Sequence, residues 1–139
     1  LTWVVEAVNT IDAPPYFLAD SDEAASIISA VGSDRVKMLF DVYHQGMSGE
    51  NVAAQITRHH ACIGYYQLGD APGRREPGSG TLAWTGILQA ISATGYRGPV
   101  GMEHWLSGSG ESGLVSALVA YRAADTLAAV TARGSTRQT

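Results

Sequence analysis

The sequence predicts an α/β protein made of four consecutive strand–loop–helix units, the content of half an eight-stranded (β/α)8 barrel. Three observations predict it. Short apolar, β-branched runs alternate four times with segments of helical periodicity along the 139 residues. The strand runs are apolar nearly throughout, the pattern of parallel strands covered by helices. Each unit takes roughly 35 residues, so eight would fill the ~250 residues of a closed barrel and four fill half of one.

The first strand is expected over residues 2–8 (TWVVEAV). Asp20 then reads as the N-cap of a helix, with Glu23 three residues on as the reciprocal partner of a capping box. That helix should reach Val31 and stop at Gly32, a residue suited to the left-handed conformation past a helix end. Residues 36–42 (VKMLFDV) form the second strand. A loop (HQGMSG) should lead to a second helix over residues 50–59. The third strand covers residues 62–68 (CIGYYQL), followed by a long Gly/Pro/Arg loop stiffened by Pro72 and Pro77. A helix over residues 84–94 then presents Trp84, Ile87, Leu88 and Ile91 on one face. Residues 99–103 (PVGME) open the fourth strand, and the last helix covers residues 114–130. Residues 1–131 are read as one domain and residues 132–139 as a flexible polar tail. Such strands should be apolar on both sides, with helices over one. The other would face a barrel interior, where Val5, Leu39, Phe40, Tyr66 and Met102 depend on packing from the rest of a barrel.

Composition narrows the function classes. The formal net charge is −4 and Lys and Arg are not clustered, which disfavours a nucleic-acid surface. No apolar run approaches the ~20 residues that span a bilayer. The lone Cys62 cannot form an internal disulfide and is expected to be buried and inert, which fits a cytoplasmic protein. The chain opens on Leu1, at the edge of an apolar run, so its start is expected to have been removed or the gene model to be partial.

The polar residues at the strand ends carry the chemistry. Glu6, Asp41, Gln67 and Glu103 fall at or near the C-terminal ends of the four strands, which in a barrel face one mouth. A charge at the end of a buried strand is costly without a partner. One carboxylate there is ordinarily a cap or a surface ion pair, but four polar groups at equivalent places point to a shared divalent cation. An all-oxygen set suits a hard ion, Mg²⁺ or Mn²⁺. His44, at the start of the loop after Asp41, could bind substrate or orient a neighbour. Arg74 and Glu76 lie in the third loop, where an arginine could grip a substrate carboxylate through two bonds. Asp12, Asp20 and Asp70 read as turn and cap residues. His59 and His60 read as solvated or stacked, and His104 as pointing away from the mouth.

The segments VVEAVNTIDAPPYFL, LFDVYHQ, YYQLGDAPGRREPGSG and GMEHW resemble hydroxypyruvate isomerases of the xylose-isomerase-like TIM barrel group. The motifs E-x-x-N-T, D-x-Y-H, Q-x(6)-R-x-E-P-x-x-G and G-x-E occur in order between Trp3 and Trp105. The resemblance implies that Glu6, Asp41, Gln67 and Glu103 bind one divalent metal, and that Glu6 and Glu103 are also the proton-transfer pair. It implies that His44 and Arg74 contact substrate, with Glu76 beside them. The implied reaction converts hydroxypyruvate to tartronate semialdehyde through an enediolate, without a redox cofactor. The substrate would be a small hydroxy-carbonyl acid or sugar. The family barrel carries four more units before this segment, so the expected partner is a missing N-terminal half-barrel or a second copy in a homo-oligomer. Two alternatives stand beside this reading. One is another isomerase or epimerase of the group, a ketose 3-epimerase or a 2-oxo-tetronate isomerase. The other is a non-catalytic truncated fragment. A DNA-repair endonuclease on a related barrel would need clustered histidines and a basic face, which the sequence lacks.

Overall fold

The computed structural model describes residues 1–134, with side-chain surroundings described as far as Thr126. Nine elements follow in order among them: β1 (Trp3–Glu6), α1 (Ser21–Val31), β2 (Val36–Asp41), α2 (Val42–Met47), α3 (Val52–His59), β3 (Ile63–Leu68), α4 (Trp84–Ala93), β4 (Val100–Met102) and α5 (Gly110–Gly134). The four strands form one parallel sheet in the order β1-β2-β3-β4, so β1 and β4 are its edges. This is the arrangement expected of consecutive barrel units. The expected tail is helical over residues 132–134, where α5 continues, and residues 135–139 lie outside the described residues.

Local chemistry sets the helix limits. The Asp20 carboxylate accepts from the backbone N–H of Asp22 and Glu23. No bond returns from the Glu23 side chain among those described, so the capping box is one-sided. Gly32 ends α1 at φ 63°, where a Cβ would be strained. Asn51 caps α3 by accepting from the Ala54 N–H. Helix α4 has no side-chain cap of its own. Its start is tied down by Asp70, a fully buried carboxylate that accepts from Gly78 N, Leu82 N and the Trp84 indole N–H. Asp70 is therefore a hub for the long third loop, a larger role than a turn residue.

Register decides which residues face which side. Trp3 and Val5 align with Val36 and Met38. Phe40 aligns with Tyr66, and Tyr66 with Val100. On this face Met38, Phe40, Ile63, Tyr66 and Leu68 pack against Ala24 and Ile28 of α1, Ile56 of α3 and Ile87, Leu88 and Ile91 of α4. Each such side chain contributes about 1.5–3 kcal/mol by leaving water. Phe40 and Tyr66 thus belong to the helix-covered core, Val5 packs against it beside Met38, Met102 lies on the same face, and none of these four faces a barrel interior. Strand alternation puts Val4, Glu6, Lys37, Leu39, Asp41, Tyr65, Gln67 and Gly101 on the opposite, inner face. That face is mixed rather than apolar. At Gly101 a Cβ would meet the Tyr65 hydroxyl, so a larger residue there would need the Tyr65 ring to move.

Two further expectations change. The loop after β2 is helical, because Asp41 caps α2 by accepting from the Tyr43 N–H. His44 therefore sits inside a short helix and is buried. His59 is buried as well, 2.9 Å from Asp22 on α1. It lies on the inward face of α3 with Val52, Gln55 and Ile56. Cys62 is half-buried, and burial pushes its thiol up, which keeps it unreactive.

Candidate active site

Parallel register brings the strand-end residues together. Glu6 ends β1, Asp41 ends β2, Gln67 lies one residue before the end of β3, and Glu103 follows β4. Asp41 aligns with Gln67, and Gln67 with Gly101. Alternation carries the same inner face two residues further, to Glu103. A carboxylate oxygen of Glu6, one of Asp41 and a ring nitrogen of His44 lie within 4.8 Å of one another. His44 Nε2 is 3.7 Å from both carboxylates.

Arg74 reaches into the same place from the third loop. Its Nη2 is 2.7 Å from Asp41 Oδ2 and 3.2 Å from Glu103 Oε2, and the guanidinium lies over the Tyr43 ring at 5.0 Å. Arg74 has φ 49°, a left-handed conformation uncommon for a residue with a Cβ. In this structure it compensates two of the four expected ligands, so its grip on a substrate would require it to leave them.

Burial dominates the electrostatics. Desolvation pushes the Asp41 carboxyl up to about 7, and Arg74 offsets only part of that. Glu6 is raised by burial and then by Glu103, against a smaller lowering by Arg74. Burial, helped by Arg74, takes the His44 imidazole down to about 4, so it is neutral. The Glu103 side chain is 49% exposed.

The residues present fit a hard divalent cation. Two of them are carboxylates whose ionised forms are penalised by burial. Beside them the amide oxygen of Gln67 is buried and, among the described residues, has no hydrogen-bond partner, an acceptor without a donor. A cation would satisfy all three.

A second layer holds the mouth. Asn9 Oδ1 accepts from Ile11 N and Asp12 N, and its Nδ2 lies 3.2 Å from Asp12 Oδ2 and 2.6 Å from His44 Nδ1. The Tyr43 hydroxyl donates to the same Asp12 oxygen. Asp12 is thereby held below the usual carboxylate range, chiefly by Tyr43 and then by Asn9. On the opposite side the third and fourth loops are laced together. Trp105 N donates to Arg74 O at 2.8 Å, and Arg75 donates to Leu106 O. Glu76 accepts from Ser107 N at 2.8 Å and from the Ser107 hydroxyl. Glu76, expected beside substrate, is buried and turned onto Ser107. Behind the mouth, His104 meets the Tyr121 hydroxyl of α5. Asn9 and Tyr43 carried no assigned role in the sequence, and Asp12 was read there only as a turn or cap residue. The signals for them were the motifs E-x-x-N-T and D-x-Y-H, in which Asn9 and Tyr43 stand beside the expected ligands.

Comparison with known proteins gives a consistent result. The profile of the xylose isomerase-like TIM barrel family matches residues 2–124. A putative hydroxypyruvate isomerase of Streptomyces coelicolor is 35% identical over 105 residues, covering 73% of this chain and 38% of that protein. A 2-oxo-tetronate isomerase of Cupriavidus necator is 35% identical over 104 residues, covering 75% of this chain and 40% of that protein. The chain therefore spans about 40% of the length of these curated relatives. The crystal structure of an AP endonuclease, family 2, from Brucella melitensis superposes with a TM-score of 0.78 at 30% identity. It covers 84% of this chain and 45% of that one. No helix among the described residues is long and apolar enough to cross a membrane.

Proposed function

Because the chain belongs to the xylose isomerase-like TIM barrel family, we propose that it carries the metal-site half of an isomerase that interconverts hydroxypyruvate and tartronate semialdehyde. The observation that carries the reading is the meeting of Glu6 and Asp41 with the unpartnered Gln67 amide oxygen on one inner face. With Glu103, these residues would hold Mg²⁺ or Mn²⁺. Bound there, the ion would polarise the carbonyl of an α-hydroxy carbonyl compound and acidify the adjacent C–H.

The chain's own groups do the rest. One of Glu6 and Glu103 removes the proton next to the carbonyl, the other returns a proton to the former carbonyl carbon, and the hydroxyl proton passes to the former carbonyl oxygen, so the carbonyl moves by one position. Glu6 suits an exchange of protons, since burial makes its carboxyl a better proton acceptor than an exposed glutamate. His44 directs a polar ring edge into the mouth. Arg74 offers a guanidinium to a substrate carboxylate once it leaves Asp41 and Glu103. Its place makes an acid substrate preferable to a neutral sugar. The 2-oxo-tetronate reading shares that feature, and the relative that bears that name is equally similar.

The edges β1 and β4 require a complement, either four further β/α units or a second copy of this chain. The test joins this chain behind the first four units of the S. coelicolor relative and measures hydroxypyruvate isomerisation with Mg²⁺, Mn²⁺ or a chelator. Metal-dependent turnover supports the reading. A folded chimera that binds Mn²⁺ and converts neither hydroxypyruvate nor 2-oxo-tetronate excludes it.

A further inference from the structure

His44 lies close enough to Glu6 and Asp41 to be counted with them as a metal ligand. The hydrogen bonds on its other ring nitrogen argue otherwise. Two donors from Asn9 converge on His44 Nδ1. The backbone N–H of Asn9 is 3.4 Å away and its amide Nδ2 is 2.6 Å away. A backbone N–H can only donate, so even this long contact favours Nδ1 as an acceptor, and the short amide contact decides it once the amide's orientation is known.

The orientation of the Asn9 amide is fixed independently. Its Oδ1 accepts from two backbone N–H groups, those of Ile11 and Asp12, at 3.1 and 2.9 Å. A flipped amide would set its NH₂ against both of those donors. The two hydrogens of Nδ2 are then used by Asp12 Oδ2 and by His44 Nδ1. Asn9 is 2% exposed and His44 4%, so water does not compete for the contacts between them. A neutral imidazole with Nδ1 as acceptor carries its hydrogen on Nε2, and Nε2 is the atom that faces the mouth, 3.7 Å from Glu6 and Asp41.

We infer that Asn9 is a positioning residue that locks His44 in the Nε2–H tautomer, making His44 a fixed hydrogen-bond donor to a substrate oxygen and excluding it from the metal's ligands. A nitrogen that bears hydrogen has no lone pair for a cation, so the ligand set stays all-oxygen. A buried neutral donor presented to a developing oxyanion stabilises it without reorganising. The neutrality of the ring agrees with its burial. The spacing of E-x-x-N-T accounts for the arrangement. Glu6 ends the strand, and Asn9 three residues later turns the loop back over α2.

The inference rests on the proposed reading for what the donor serves, and its test does not. Long-range ¹H–¹⁵N correlation spectra of the metal-free, substrate-free chain at neutral pH report the tautomer directly. The expected result is a pyridine-type Nδ1 and a pyrrole-type Nε2 for His44, unchanged when Mg²⁺ is added. In Asn9→Asp a carboxylate oxygen replaces the donor at the 2.6 Å contact, and only the longer backbone bond at 3.4 Å still donates to Nδ1, so the two nitrogens should exchange types. A wild-type His44 with hydrogen on Nδ1, or loss of the Nε2 hydrogen on adding Mg²⁺, overturns the inference even if the variant does not fold. So does a folded Asn9→Asp chain with the wild-type tautomer. Failure of the isomerase reading shows separately, as absence of turnover in the chimera with the tautomer intact.

Discussion

At the β2 side of the mouth, Asp41 is sealed from solvent, whereas the Glu103 side chain past β4 is 49% exposed. The two carboxylates stand at equivalent places in the second and fourth units, with Gln67 of the third between them, and share one guanidinium. What differs is the strand beneath each. β2 pairs on both edges and packs against α1, while β4 is three residues long and, among the described residues, pairs only with β3. Along β4, Val100 and Met102 stay partly exposed, and at the other edge Trp3 is 68% exposed. Residue type therefore does not set the chemistry of a strand-end carboxylate. Enclosure does, and enclosure here is complete only at the centre of the sheet.

The largest effects should come from the proton-transfer pair. In a completed barrel, Glu6→Gln and Glu103→Gln should each lower turnover roughly a hundred- to ten-thousandfold, with substrate binding less affected. The comparison sharpens if closing the barrel removes the exposure of Glu103, because both variants should then be similarly severe. Near-normal kcat in either variant removes that residue from proton transfer.

A stability pair probes the same contrast without activity. Phe40→Ala removes a fully buried ring that meets Tyr66 edge-on at 5.9 Å and should cost about 3–5 kcal/mol in denaturant unfolding. Met102→Ala, at a residue 42% exposed, should cost less than about 1.5 kcal/mol. Equal losses would mean that the β4 edge is as well packed as the centre, and the comparison would fail.

The pH dependence of metal binding comes next. A cation needs the ionised form of Asp41, and burial holds that carboxyl near 7, so protons compete with metal below that pH. Affinity for Mn²⁺ should be flat above about 7 and fall about tenfold per pH unit below it, or ~1.4 kcal/mol. His44, neutral down to about 4, adds nothing to the slope. Titration calorimetry across pH 5 to 8 (roughly the range in question) checks this. Constant affinity across that range would mean that Asp41 is already ionised.

Much of this was legible in the sequence. Asp20 and Gly32 marked the limits of α1, and the strand-end positions of Glu6, Asp41, Gln67 and Glu103 followed from repetition. The short α2 was missed because six residues containing Gly46 show no helical period, although Asp41 before an apolar pair is also an N-cap signal. Phe40 and Tyr66 were set on the wrong face because a nearly all-apolar strand hides its alternation. Counting outward from Asp41 and Gln67 places them opposite the mouth. Nothing local foretold that Glu76 would turn away from the mouth. Its partner Ser107 is 31 residues distant, and only the pairing of β3 with β4 brings them together.

The smallest expected effect concerns that same lacing. Glu76 accepts from the backbone and the hydroxyl of Ser107. Burial acts to raise its carboxyl, but the two Ser107 bonds, with smaller help from its own backbone N–H and from His104, outweigh burial and hold it below the usual range. With its folded pKa depressed, Glu76 contributes stability that is present above its unfolded pKa and lost as pH falls through the folded one. In Glu76→Gln, the amide oxygen can still accept from Ser107 N, and the serine hydroxyl can turn to accept from the amide. What is lost is the charge on the acceptor, worth about 1 kcal/mol by the difference between charged and neutral hydrogen bonds. The β4 side should loosen locally, with Ser107 amide exchange roughly fivefold faster. Asn9, His44 and Asp41 belong to the other side of the mouth, so their spectra should not move. A variant that leaves Ser107 exchange unchanged shows that Glu76 does not hold this loop. One that also shifts His44 shows that the two sides of the mouth are coupled rather than separately built.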